Sequence, residues 1–100
     1  MANKNYQAGR RFEYERRNAW IAYGYEVVRA SGSHGSFDLI CLQSNQVPVL
    51  IQCKRVSTMA EAKRLMASFE SHPPLQPSIK YVQIMEVKVK GKGEILSTEF

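Results

Sequence analysis

The spacing of apolar residues changes its period along the chain, and each change marks an element. From Gln7 to Tyr23 there is no proline and only one glycine, Gly9, while Phe12, Ala19, Trp20 and Tyr23 recur at helical spacing. The spacing predicts a helix over 7–23 with one apolar stripe, a basic face of Arg10, Arg11, Arg16 and Arg17, and a stop at Gly24. "YEVVRA" reads as a short strand and "SGSHGS" as a loop of turn-forming residues. "FDLICLQ" and "VPVLIQCK", joined by "SNQ", read as an antiparallel hairpin whose second strand opens at Pro48, where a missing backbone donor is tolerated. "STMAEAKRLMASFE" predicts a second helix, opened by the capping pattern Thr58-x-x-Glu61 and carrying Met59, Ala62, Leu65, Met66 and Phe69 on one side. The prolines of "SHPPLQPS" end it, and "IKYVQIMEVKV" and "EILSTEF" close the chain as a strand pair around "KGKG".

The order α-β-β-β-α-β-β predicts an α/β fold, one central mixed β-sheet flanked by helices. A chain of 100 residues, 44% of them apolar, can bury one core but not two, so residues 1–100 are expected to form one domain. The net charge of +5 favours an acidic partner such as nucleic acid. No apolar run approaches the roughly 18 residues of a membrane helix, and "MANKNYQAGRRFEYERR" is too polar for a secretory signal, so the expectation is a cytoplasmic protein with no membrane partner. Cys41 and Cys53 lack C-x-x-C spacing and are expected to be reduced core residues.

The candidate chemistry lies in "VLIQCKRV", residues 49–56. Alternation sends Val49, Ile51 and Cys53 to one face and Leu50, Gln52 and Lys54 to the other, so one face is core and the other ends in two polar groups. If the loop 44–46 sets Gln43 opposite Val47, Asp38 falls across from Gln52, and Asp38, Gln52 and Lys54 converge at one end of the hairpin. The reverse face, Phe37, Leu39, Cys41, Val49, Ile51 and Cys53, is then wholly apolar, which supports this phase. A carboxylate, an amide oxygen and a lysine suit metal-dependent phosphodiester cleavage. Asp38 is the main ligand for Mg²⁺, Gln52 and the backbone carbonyl of Cys53 add oxygens, and Lys54 orients the attacking water or offsets transition-state charge. A second carboxylate is needed from elsewhere. Glu13, one residue after Phe12, is the leading candidate and Glu15 its rival.

The stretch from Gln7 to Ser57 resembles the archaeal-type Holliday junction resolvases, a branch of the PD-(D/E)xK nuclease superfamily. The matching features are Glu13 ahead of Gly24, Arg29 closing "VVR", Ser33 in the following loop, Asp38 opening the next strand, and Lys54. The resemblance implies a restriction-endonuclease-like fold and a homodimer that uses Mg²⁺, or Mn²⁺ in its place, to nick opposing strands of a four-way DNA junction. Two positions depart from the pattern. Gln52 stands where the family has a glutamate, which removes a negative charge from the metal site. Tyr14 stands where an arginine usually follows the helix glutamate, so Arg16 or Arg17 is expected to make that phosphate contact.

Arg10, Arg11, Arg16, Arg17 and Arg29 are therefore the expected DNA contacts, joined by Ser33, which can equally be a plain turn former. His34 has no role in the family pattern and reads as an exposed loop residue. Trp20 and Tyr23 read as packing, and Lys88, Lys90 and Lys92 as a lysine-protected edge. The apolar side of the second helix could contribute to a two-fold interface.

Overall fold

The computed structural model describes residues 4–30 and 36–100, with side chains from residue 7 onward. Its elements are α1 (Lys4–Ala22), β1 (Glu26–Arg29), β2 (Leu39–Leu42), β3 (Val49–Val56), α2 (Met59–Ser71), β4 (Val82–Val89) and β5 (Ile95–Glu99), in the expected order. The strands form a single mixed sheet, β1-β2-β3-β4-β5. The β1–β2, β2–β3 and β4–β5 pairs are antiparallel, and β3–β4 is parallel. A parallel pair cannot be closed by a tight turn, which is why the connection between β3 and β4 carries α2.

α1 ends as its sequence requires. Gly24 adopts φ +99°, and the Tyr25 N–H returns to the Trp20 carbonyl at 3.1 Å, satisfying one of the carbonyls left open at the helix end. At the start of α2, the Thr58 side chain accepts the Glu61 N–H at 3.2 Å, as the capping pattern predicts.

The two faces of the sheet bury different helices. Leu39, Cys41, Val49, Ile51 and Cys53 pack with Phe12 of α1, and Trp20, Tyr25 and Val27 close around them. On the reverse face Ala62 and Phe69 of α2 are buried with Val56, Met85, Val87 and Val89. Met59, Leu65 and Met66 pack against that second core, so the apolar side of α2 is largely covered by its own sheet. Both cysteines are buried free thiols. Burial raises that of Cys41 to about 12, which leaves it no thiolate near neutral pH.

Several expectations need correction. Phe37, expected on the face of Leu39 and Cys53, packs against the core beneath α2, because the straight ladder ends at Leu39. The β2–β3 register is the predicted one, Leu39 opposite Ile51 and Cys41 opposite Val49, but the strands stop at Leu42 and resume at Val49, so the connection is longer than 44–46 and Pro48 lies just outside the strand. Asn45 takes φ 64° in the turn, a conformation asparagine tolerates. Tyr23, expected in the core stripe, is 62% exposed, because the chain turns at Gly24 and its ring meets Trp20 only in a T-shaped contact. Arg16, expected on the basic outer face, points inward.

That inward turn answers a buried acid on β4. Glu86 is 4% exposed. The Arg16 guanidinium donates to it twice, Nε to Oε1 at 2.9 Å and Nη2 to Oε2 at 3.0 Å, and the Trp20 indole N–H adds a contact at 3.3 Å. The inner row of α1 is thus Phe12, Arg16 and Trp20, one residue per turn, with a cation in the middle. Removing one member of a buried, doubly bonded pair strands the other. Glu86→Ala should therefore cost about 3–5 kcal/mol in urea unfolding, and Glu86→Gln, which keeps an acceptor for Arg16 and Trp20, distinctly less. A loss for Glu86→Ala below about 1 kcal/mol would mean that water screens the pair as it does on a surface.

Candidate active site

Asp38 stands immediately before β2, where the straight ladder ends. Its N–H bonds the Ile51 carbonyl at 2.8 Å, and its carboxylate Oδ2 accepts the Cys53 N–H at 2.8 Å. The expected pairing of Asp38 with Gln52 is replaced by this clasp, in which a side chain takes a backbone donor of the neighbouring strand. The clasp fixes the carboxylate at the opening between β2 and β3.

Glu13 reaches the same region from α1. Loss of hydration raises its carboxyl above the ordinary value of 4.5, the negative charge of Asp38 raises it further, and Arg29 and Arg10 pull it down. Arg29 Nε lies 3.6 Å from Glu13 Oε1, an ion pair too long for a hydrogen bond, and that buried Nε has no hydrogen-bond partner. The rival Glu15 is turned away and meets Lys88 Nζ at 3.3 Å. The structure thus brings Glu13, Asp38 and Arg29 together and leaves Glu15 out.

Gln52 and Lys54 lie on the other side of β3. They pair in register with Met85 and Val87, which face α2, whereas Cys53 pairs with Glu86, which faces α1. Gln52 is half-buried and Lys54 is exposed, and neither forms a hydrogen bond or ion pair with Glu13 or Asp38. Lys54 instead lines an open groove with Gly9, Cys53, Arg55, Val56, Ser57 and Glu61. A neighbouring groove is lined by Ala8, Arg11, Phe12, Glu15, Arg55 and Lys88. Arg55 belongs to both and was missed in the sequence, since a basic residue next to Lys54 reads as the strand running into solvent. Among the described residues no three His, Cys, Asp or Glu side chains are grouped to hold a metal ion. The available donors, two carboxylates with an amide and a backbone carbonyl nearby in the chain, are all hard oxygens of the kind Mg²⁺ takes.

The arginines divide. Arg16 is committed to Glu86, and Arg11 is exposed along the second groove. Arg10, Arg17 and Arg29 lie around the Tyr14 ring, at 5.9, 5.2 and 4.7 Å from its centroid. The contribution of Arg10 and Arg17 was legible as i−4 and i+3 spacing about Tyr14, but that of Arg29, from β1, was not. Ser33 and His34 lie outside the described residues.

Comparison with solved structures decides the fold. Hjc, a Holliday junction resolvase from the archaeal hyperthermophile Archaeoglobus fulgidus, matches over 93% of this chain and 71% of its own, with a TM-score of 0.53 and 14% sequence identity. The chain has the fold of an archaeal Holliday junction resolvase. No family model and no curated protein sequence matches it. No described helix is long and apolar enough to cross a membrane.

Within this fold the surroundings of Glu13 disfavour its charged form. A carboxyl whose folded pKa is raised holds its proton more tightly folded than unfolded, so ionised Glu13 subtracts from stability as pH rises through 4.5 and beyond its folded value. Glu13→Gln removes that penalty. In metal-free protein the variant should melt above wild type at pH 7, with the gain disappearing by about pH 4. A lower melting temperature at pH 7 would show that the pairing with Arg29 outweighs dehydration and Asp38.

Proposed function

We propose that the protein is a metal-dependent endonuclease that cuts branched DNA, resolving four-way junctions as a homodimer. The observation that carries this reading is the convergence of Glu13 and Asp38 at the opening of the β2–β3 pair, within a resolvase fold and beside arginines. Asp38 and Glu13 would hold Mg²⁺, with the Cys53 carbonyl as a further donor; the Gln52 amide, on the other side of β3, would join them only by reaching round the strand. A divalent ion there supplies Lewis-acid polarisation of the scissile phosphate. The protein's own groups do the rest. The Cys53 N–H orients the Asp38 carboxylate, Lys54 brings positive charge to the attacking water or the phosphorane-like transition state, and Arg10, Arg11, Arg17 and Arg29 bind phosphates. Since Lys54 stands on the opposite face of β3 from Glu13, its role calls for a long flexible side chain reaching round the strand end.

Dimerisation has an apolar surface to draw on. Val28, Ile40 and Leu50 are in register across β1, β2 and β3 on the side of the sheet that α2 covers only from β3 to β5, and Val28 is 49% exposed. A second copy would bury this row and set two identical sites about a two-fold axis, as a junction's paired strands require. Phosphate contacts without a base-reading helix suit a substrate recognised by shape.

The competing reading is a DNA-binding module that retains the fold without chemistry, and it is Gln52 in place of a third acid that favours it. Asp38→Asn separates the two. The variant should lose cleavage while keeping DNA affinity, because the basic surface is untouched. Full activity in that variant would put the metal elsewhere. Gln52→Glu should lower the Mg²⁺ concentration for half-maximal cutting, and an unchanged metal titration would show that residue 52 does not touch the ion.

Substrate choice is tested by offering equimolar labelled four-way junction, linear duplex, single strand and flap with Mg²⁺. Paired symmetric nicks near the branch point are expected. Equal cutting of linear duplex would make the protein a general endonuclease, and binding without any cutting would make it the silent module.

A further inference from the structure

The sequence departs from the resolvase pattern at Tyr14, and the surroundings of that residue explain how. Its ring is approached by Arg10 and Arg17 from the adjacent turns of α1 and by Arg29 from the end of β1, the last at 4.7 Å. Guanidinium groups are drawn to the face of an aromatic ring by its quadrupole. Without the ring, like charges on flexible side chains would spread apart into water. The phenol registers the field of its neighbours. A hydrogen bond from Arg10 and the charges of Arg29, Arg10 and Arg17 hold it below the ordinary tyrosine value of 10.

Two of the arginines are only loosely held by the protein. Arg29 Nε is buried without a hydrogen-bond partner and lies 3.6 Å from Glu13. Arg17 meets only the neutral amide oxygen of Asn18, through Nε at 3.4 Å and Nη2 at 3.2 Å, and that contact is exposed and easily exchanged. Arg16, the other candidate for the arginine missing at position 14, is held on the far side of the helix by Glu86.

We propose that Arg10, Arg17 and Arg29 form a single phosphate-binding site beside Glu13, and that Tyr14 is the positioning residue that gathers them. The proposal rests on the nuclease reading for its substrate, a DNA phosphate next to the one cleaved, but not for its geometry. A tyrosine in place of one arginine thus serves to organise three. The ring holds Arg17 and Arg29 and the hydroxyl also holds Arg10, so phenylalanine should keep most of the site and loosen Arg10, whereas leucine, which keeps every charge, should lose it.

The test that does not depend on nuclease activity uses inorganic pyrophosphate, followed through the arginine Nε–Hε resonances by NMR. In wild type the signals of Arg10, Arg17 and Arg29 should move together; in Tyr14→Phe those of Arg17 and Arg29 should still respond while that of Arg10 responds less, and in Tyr14→Leu binding should weaken about tenfold. Arg17→Gln, a change on the outer face of α1, should weaken binding as well, and it probes the same site should leucine disturb the helix. Wild-type affinity in Tyr14→Leu would overturn the positioning role, and pyrophosphate that moves none of the three signals would overturn the site. The same proteins are then given labelled four-way junction and Mg²⁺. If wild type cuts while pyrophosphate affinity ignores residue 14, this inference fails and the nuclease reading stands. If pyrophosphate binding depends on Tyr14 and no DNA is bound or cut, the anion site stands and the nuclease reading fails.

Discussion

The buried carboxylate of Glu86 holds the architecture of the candidate site in place. It is the point at which α1 is keyed to the sheet: Arg16 closes two hydrogen bonds on it and Trp20 a third contact, one turn further along. A helix packed only by apolar residues can roll about its axis at modest cost, since hydrophobic contact has little direction. A bidentate guanidinium–carboxylate pair has a fixed geometry and resists such rolling. Once Arg16 faces β4, the rest of the helix surface is assigned. Glu15 falls beside Lys88, while Glu13, Tyr14 and Arg17 are carried round toward the ends of β1 and β2.

The carboxylates that this rotation brings together sit in an unfavourable field. Asp38 is held by the Cys53 N–H and repels Glu13, which has also lost hydration, and Arg29 offsets only part of the cost at a distance beyond a hydrogen bond. Groups arranged this way gain from a cation placed between them, and a protein tolerates such a site only where the surrounding structure keeps it assembled. The clasp of Asp38 on β3, the Glu86 key on α1 and the buried cores on both sides of the sheet provide that frame.

The parallel β3–β4 pair places the rest. It sends the chain through α2 across the second face, and the returning proline-rich connection is tied to the sheet by Gln83, fully buried, whose amide accepts the Leu75 N–H at 3.0 Å and donates to the Leu75 carbonyl at 3.2 Å. This arrangement covers β3 to β5 and leaves the β1–β2 half of that face without a helix. The two sides of β3 are therefore chemically different, one carrying the clasp with Asp38 and the other Gln52 and Lys54, and an open groove lies across the strand end between them.

The order of elements, the stop at Gly24, the Thr58 cap and the hairpin register were legible in the sequence, because each depends on residues near one another in the chain: a helical or alternating period, a side chain that can cap, a glycine free to take positive φ. That Asp38 opens a strand and Glu13 flanks an apolar stripe was legible for the same reason. What the tertiary structure decided was which polar residues face one another. Arg16 and Arg17 are neighbours of identical chemistry on one basic face, and no local pattern says that the first will meet Glu86, 70 residues away, and the second Tyr14. The rivalry of Glu13 and Glu15 ended the same way, through Arg29 and Lys88 on different strands. Hydrophobic burial follows a period that a sequence displays, whereas a charge takes whichever partner the packed fold brings within reach.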